Sequence, residues 1–245
     1  MKKTGTFLIG VMFMAFPLLM RAQETGWQFR AGVGSSGLYG GVTNIEDRLG
    51  FHVGVNADIQ LTQNGVMRFQ PGLELARKGW KFNGYTGNEQ IMEAKFYTQL
   101  DYLQVPLIVA SSISLGQGSS ITFRTGTYVA YGLTAKTRME VQNTDHKETF
   151  PENHFSKECD FGKMAYDKES HNVSYPKFQR WDAGLVVGID LTFGHFMVGC
   201  GGTVGLVKLC DPGFMGNTVG NIFMALFGGG SPKNVTADIS LGYTF

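Results

Sequence analysis

The sequence is poor in charge, in proline and in long apolar runs. Charged residues make up 17% of its 245 residues, and the chain holds only 7 prolines and 3 cysteines. The formal net charge of +1 argues against nucleic acid as a partner, because neutralising phosphates requires a basic surface. After residue 20, no stretch approaches the roughly 20 consecutive apolar residues that a membrane-spanning helix needs. A polytopic helical membrane protein is therefore excluded.

The chain opens with the pattern of a secretory signal peptide. Two lysines precede an apolar run over residues 7–20, and no cysteine follows that run to accept a lipid. We predict a signal peptide over residues 1–22, cleaved after Ala22, and a single mature domain over residues 23–245.

Alternation of apolar and polar residues is the most regular feature of the chain. Between Trp181 and Thr192 the odd positions are all apolar, whereas the even positions include Asp182 and Asp190. A period of two is typical of a β-strand, because successive side chains of a strand point to opposite faces. The same alternation occurs in seven further segments, over residues 27–34, 51–62, 67–76, 96–112, 121–133, 196–206 and 238–245.

These eight segments predict an all-β fold, an eight-stranded antiparallel up-and-down transmembrane β-barrel with long extracellular loops. One face of each segment is bulky and apolar, which suits lipid, and the other carries charges, which suit a packed polar lumen. Closure leaves no unpaired strand edge in lipid. A soluble lipocalin-like barrel is the structural alternative, and it would point the bulky apolar set inward.

The links between the segments alternate in length. Short turns at residues 63–65, 116–118 and 193–195 fall at the end where both termini lie, and long links at residues 135–179 and 208–237 fall at the other end. Outer-membrane barrels have this asymmetry, with periplasmic turns and extracellular loops. We therefore predict a protein of the cell outer membrane that contacts the membrane lipid.

Two segments resemble the PorT-like outer-membrane barrels of Gram-negative bacteria. The first is Gln70 to Glu74 followed by Lys78–Gly79, and the second is Tyr102 to Leu107. The terminal Tyr243 and Phe245 resemble the signal that the barrel-assembly machinery reads, which makes that machinery an expected partner. The resemblance implies an eight-stranded barrel and, for some members, a role in type IX secretion or surface assembly.

Opposite charges share the inward face of the predicted barrel. An eight-stranded barrel is just wide enough for side chains to fill it, so its lumen is a packed core and not a channel. Buried charges persist when they are paired and hydrogen-bonded, which predicts a structural ion-pair network. A proton or ion path is the functional alternative. The predicted members are Arg30, Arg68, Arg124, Asp58, Glu74, Asp182, Asp190 and Asp238.

The long third link holds side chains of types that bind metals, and the alternation continues into it. Thr137 and Met139 extend the pattern beyond Leu133, so we predict a hairpin that projects from the membrane. No pair of metal-binding side chains has the spacing of a zinc motif, so we predict a solvated loop with no metal and no cofactor. The side chains considered are His146, Glu152, His154, Cys159 and His171.

The cysteines leave two alternatives open. Cys159 and Cys210 fall on loops at the same extracellular end in an oxidising setting, which would allow a disulfide between the third and fourth loops. Otherwise all three cysteines are unpaired, with Cys200 on the lipid-facing side of its strand.

An apolar run lies in the fourth loop, where polar residues are expected. Exposed apolar patches often mark interaction surfaces, so we predict contact with an envelope or extracellular protein. The alternative is that the run folds over the barrel mouth or rests at the lipid interface. The run consists of Ile222, Phe223, Met224, Leu226 and Phe227, with Ala225 among them.

Together these patterns predict a non-enzymatic barrel that anchors partner-binding extracellular loops, with no catalytic residue. The alternative from another class is a lipid-modifying hydrolase at the outer rim. Such an enzyme needs a nucleophile or base held by a partner, and His171 and Ser174 are the candidates.

Overall fold

The described part of the chain folds into nine β-strands. The computed structural model describes residues 25–40, 45–86, 92–143, 155–159, 178–209 and 232–245. The strands are β1 Thr25–Tyr39, β2 Ile45–Gln60, β3 Met67–Thr86, β4 Met92–Gly116, β5 Ser119–Asn143, β6 Phe155–Cys159, β7 Trp181–Phe193, β8 Phe196–Gly205 and β9 Lys233–Thr244. Within these ranges no helix has the length and apolarity to cross a membrane.

Eight of these strands form a closed barrel. Strands β1 to β5 pair in sequence order, and β5 then pairs with β7, β7 with β8 and β8 with β9, all antiparallel. Strand β9 returns to β1, where Arg30 lies opposite Gly242, and this pairing closes the ring. The predicted eight-stranded antiparallel up-and-down barrel is confirmed.

Side chains on each strand alternate between the lumen and the outer surface. On β7, Asp182 and Asp190 are 3% and 1% exposed, whereas Leu185 and Val187 are 47% and 56% exposed. A strand that buries carboxylates and presents aliphatic side chains outward needs lipid around it. The soluble alternative, with its apolar face inward, is therefore wrong.

Both described chain ends and the tight turns lie at one end of the barrel. The backbone N–H of Phe245 donates to the carbonyl of Trp27 at 2.8 Å, and that of Gly194 donates to the carbonyl of Gly118 at 3.0 Å. In the β4–β5 turn, Gly116 and Gly118 have φ of 87° and 74°, a conformation that glycine adopts without a steric penalty. We call this the turn end of the barrel and the opposite end the loop end.

Strands β3, β4 and β5 continue past the barrel at the loop end. The predicted strand segments end at residues 76 and 133, but β3 reaches Thr86 and β5 reaches Asn143, each paired with β4. Strand β6 then adds to β5, with Phe155 opposite Met139. We call residues 81–86, 92–99, 134–143 and 155–159 the projecting sheet.

A β-bulge explains why the alternation in β5 changes at Leu133. The register between β4 and β5 shifts between Asp101 and Tyr102, which leaves Leu133 as an extra residue. Before the bulge the inward residues of β5 are even-numbered, such as Ala130, and after it they are odd-numbered, such as Thr137. The predicted continuation of the outer face through Thr137 is wrong, because the extra residue reverses the phase of the strand.

Candidate functional site

Asp190 lies between two arginines inside the barrel. Arg30 donates through Nη1 and Nη2 to the two carboxylate oxygens of Asp190, at 3.0 and 2.7 Å. The Nε atom of Arg124 lies 2.8 Å from Oδ2 of the same carboxylate. Arg30 and Asp190 are each 1% exposed, so neither charge has an alternative partner in water. Buried ions of this kind are tolerated only when they are paired and hydrogen-bonded.

A second ion pair lies closer to the turn end. Arg68 donates to Asp58 at 2.6 Å, and the side-chain amide of Gln70 donates to the other carboxylate oxygen of Asp58 at 3.0 Å. Asp58 is buried, but the side chain of Arg68 is 33% exposed. Water can therefore solvate the arginine of this pair.

The carboxylate of Asp182 lies at the loop end of the lumen and binds a lysine that the predicted ion-pair set omits. Lys78 Nζ donates to Asp182 Oδ2 at 3.1 Å, and Tyr128 and Asn234 donate to the same oxygen at 3.0 Å each. Nζ also lies 4.2 Å from the centre of the Tyr128 ring. Lys78 lies two residues past the alternation that ends at Ala76, and extending that alternation would have placed it inward.

The two remaining predicted carboxylates, Asp238 and Glu74, have partners other than arginine. Asp238 accepts a hydrogen bond from His52 Nε2 at 3.1 Å, and Glu74 accepts one from the side-chain amide of Gln104 at 3.5 Å. Among the described residues, Glu74 has no cation within 4 Å. The predicted charges therefore form separate clusters, and His52 and Lys78 are additional members.

A small cavity lies among these clusters. Its volume is about 60 Å³, and its polar lining includes His52, Glu74, Lys78, Arg124 and Asp238. A polar cavity of this size has room for a few ordered water molecules, which need several polar partners each. The polar side chains of the lining can act as those partners, and Ile108, Val186 and Pro106 complete the wall.

An apolar layer covers the clusters at the loop end, and we call it the apolar seal. It consists chiefly of Trp80, Leu100, Phe178 and Leu209, each no more than 3% exposed. The rings of Trp80 and Phe178 meet edge to face at 5.8 Å between centroids. The backbone N–H of Gln179 donates to the carbonyl of Leu209 at 2.7 Å, which links the end of the third loop to the start of the fourth. Thr98 and Thr137 are the buried polar side chains at this level, and their hydroxyls lie 3.4 Å apart.

An ion pair on the outer surface marks the upper edge of the lipid-facing belt. Arg77 on β3 lies opposite Asp101 on β4, two residues nearer the loop end than the outward-facing pair Leu75 and Leu103. Arg77 Nε donates to Asp101 Oδ1 at 2.7 Å. Burial alone would raise the pKa of Asp101. Hydrogen bonds from Arg77 and Thr134, the positive charge of Arg77 and a weaker hydrogen bond from Gln99 together bring that pKa below its ordinary value. The pair therefore stabilises the rim just outside the membrane.

Several predicted residues lie outside the described part of the chain or lack a described side chain. Cys159 belongs to β6, but Cys210 lies outside the described residues, so the disulfide remains a prediction. Cys200 is exposed on the outer surface and unpaired. Within the described ranges no group of three or more potential ligands could hold a metal ion. Also outside those ranges are the signal peptide 1–22, His146, Glu152, His154, His171, Ser174 and the run Ile222, Phe223, Met224, Leu226 and Phe227.

The fold and the lumen define the class of protein. A closed eight-stranded barrel with an aliphatic outer surface and paired charges inside is an outer-membrane β-barrel. The family model described as outer membrane protein beta-barrel domain matches residues 21–211. The chain belongs to this family, and it is a protein of the cell outer membrane whose barrel lies in the lipid bilayer.

Solved structures of other bacterial surface barrels are similar to this chain at low sequence identity. Ail of Yersinia pestis, solved with the heparin analogue sucrose octasulfate, is 12% identical, with a TM-score of 0.38 over 91% of this chain and 100% of that chain. Neisserial surface protein A is 7% identical, with a TM-score of 0.40 over 91% and 100%. OprG from Pseudomonas aeruginosa is 11% identical, with a TM-score of 0.40 over 92% and 98%. No curated protein matches the sequence.

Proposed function

We propose that the protein is a non-enzymatic membrane anchor whose projecting sheet and long loops bind an envelope or extracellular protein. The observation that carries this proposal is the projecting sheet, in which β3, β4, β5 and β6 pair continuously beyond the barrel. Strand β7 begins opposite Tyr131 of β5, so the rest of β5 stands clear of the barrel wall on that side. Ordered backbone held outside a rigid scaffold is a common position for a binding surface.

The lumen favours an anchor over a channel. The apolar seal covers the loop end, and the clusters around Asp182 and Asp190 fill the space beneath it. An ion would have to break buried charge pairs and cross an apolar layer to pass. The role in secretion or surface assembly that the PorT-like resemblance implies is compatible with such an anchor.

The edge of the projecting sheet supplies backbone groups for a partner. Among the described residues, β6 pairs with β5 alone. An extended segment of another protein can add to such an edge, since main-chain hydrogen bonds give affinity and side-chain pockets give specificity. The apolar run over residues 222–227 would add side-chain contacts with that partner.

Site-specific photocrosslinking in intact cells tests this proposal. We expect photoreactive residues in place of Lys136, which is exposed on the projecting sheet, and of Phe223 to capture a discrete protein. The matched control is Leu185, which faces lipid and should capture lipid only. Deleting residues 222–227 should remove the protein adduct and leave membrane insertion intact. Lipid or no adduct at Lys136 and Phe223 in a correctly inserted barrel contradicts the proposal.

The hydrolase alternative makes a different prediction. It requires His171→Ala or Ser174→Ala to abolish an activity on outer-membrane lipid without altering folding. Under the anchor proposal, both variants retain the protein adduct and show no change in lipid composition, which mass spectrometry of outer-membrane lipid extracts measures.

A further inference from the structure

The lumen opens at the turn end into a polar recess. Its volume is about 700 Å³, which lies within the roughly 300–1,000 Å³ typical of small-molecule sites. Inward-facing amide and hydroxyl side chains supply most of its wall, among them Gln60, Gln70, Ser112, Ser120, Thr192 and Thr244. We call this space the turn-end recess.

Part of this wall is free to bind a ligand. Among the described residues, the side chains of Gln60, Ser120 and Thr192 form no hydrogen bond with the protein. The hydroxyls of Ser112 and Thr122, by contrast, bond to each other at 2.8 Å. Amide and hydroxyl groups both donate and accept, so the free set can satisfy a ligand that does the same.

The aspartate and arginine side chains that line or border the recess are paired with one another. Asp190, at the floor of the recess, forms ion pairs with Arg30 and Arg124. Asp58 accepts hydrogen bonds from Arg68 and Gln70. Arg68 reaches solvent, but it is already paired at 2.6 Å. Taking a charged group out of water without a counter-charge is costly, so the recess favours an uncharged ligand.

The backbone at this end does not favour a peptide. The backbone N–H groups of Leu61, Thr244 and Phe245 donate to carbonyls of neighbouring strands or turns at 2.8–2.9 Å. Peptides gain much of their affinity by adding to an open strand edge, and the described strands at this end form a closed ring. Recognition in the recess must therefore come from side chains.

We propose that the turn-end recess binds a neutral saccharide, whose hydroxyl and acetamido groups bond to Gln60, Ser120 and Thr192. The turn end of an outer-membrane barrel faces the periplasm, so the ligand comes from that compartment. The site is separate from the projecting sheet at the other end of the barrel. Failure of either proposal leaves the other standing.

Calorimetric titration of the purified barrel in detergent micelles with tri-N-acetylchitotriose tests the site. We expect saturable binding by the unmodified protein. Thr192→Val and Gln60→Leu should each weaken binding about 2–10-fold, the loss of roughly one net hydrogen bond, and the double variant should weaken it further. Thr127→Val is the matched control, because Thr127 is an exposed threonine on the outer face and its loss should leave binding unchanged.

The choice of probes separates the alternatives. Binding of the trisaccharide but not of N-acetylglucosamine identifies a saccharide chain as the ligand, and equal binding of both identifies a free sugar. Absence of saccharide binding by the unmodified barrel overturns the proposal. So does equal binding by the folded double variant, or preferential binding of the deacetylated cationic trisaccharide or of tetra-alanine.

Discussion

Lys78 on β3 reaches across the lumen to Asp182 on β7, with 3.1 Å between Nζ and Oδ2, although the two residues are 104 positions apart in sequence. The same oxygen accepts hydrogen bonds from Tyr128 on β5 and Asn234 on β9. One carboxylate oxygen therefore joins four strands of the barrel. Because Lys78 and Asp182 are 2% and 3% exposed, each charge depends on the other for its stabilisation.

Breaking this pair should destabilise the barrel strongly. Lys78→Met leaves the Asp182 carboxylate buried without a cation, which we expect to lower the free energy of unfolding by about 3–5 kcal/mol. The measurement is the urea concentration at which half of the purified barrel in detergent is unfolded. The folded fraction is read from the gel migration of unheated samples. The double variant Lys78→Met with Asp182→Leu removes both charges and should recover much of the loss. A double variant as unstable as the single one contradicts the pairing.

The sequence predicts the face of a residue better than its partner. Arg30 and Asp190 alternate with apolar neighbours, so each could be assigned to the lumen from its own strand. Their pairing depends on barrel closure and on strand register, which local sequence does not contain. His52 lies on the same inward-facing side of its strand, but the predicted set contains only arginine and carboxylate side chains and therefore omits it.

The bulge at Leu133 shows a second limit of sequence reasoning. An alternating pattern fixes the two faces only while each residue has one opposite partner, and the extra residue reverses them. Nothing in the residues around Leu133 marks that change, since Thr134 and Ala135 are compatible with either face. The projecting sheet beyond it depends on pairing with β4, so its length could not be predicted from β5 alone.

The two aspartates of the lower lumen should differ in importance. Asp190→Asn leaves Arg30 and Arg124 buried together without a carboxylate, and we expect a loss of about 3–5 kcal/mol in the free energy of unfolding. Asp58→Asn leaves Arg68, whose side chain is 33% exposed and can be solvated, so its loss should be about 1–2 kcal/mol. Urea midpoints of the two variants, measured side by side, check this order. Equal losses would show that burial of the cation does not decide the cost.

Acid should weaken the rim through Asp101. Its pKa in the folded protein lies below the ordinary value of 3.8, so the stabilisation is complete above that value and is lost as the pH falls through the folded pKa. Asp101→Asn should therefore lower the urea midpoint at pH 7 and have a smaller effect at pH 2. Thr134→Val removes one of the hydrogen bonds to this carboxylate and should show the same trend with a smaller amplitude. An effect of Asp101→Asn that is the same at both pH values contradicts the assignment.

The apolar seal should control access to the lumen from the loop end. Trp80→Ala with Phe178→Ala removes the edge-to-face ring pair, and it should raise the labelling rate of a cysteine placed at the inward-facing Val186. The readout is reaction with a water-soluble maleimide in a background without the three native cysteines. Thr192→Cys in the turn-end recess is the control, since its access does not pass through the seal and its rate should stay constant. An unchanged rate at position 186 in the folded double variant would mean that the charge clusters beneath the seal, and not the aromatic layer, exclude the reagent.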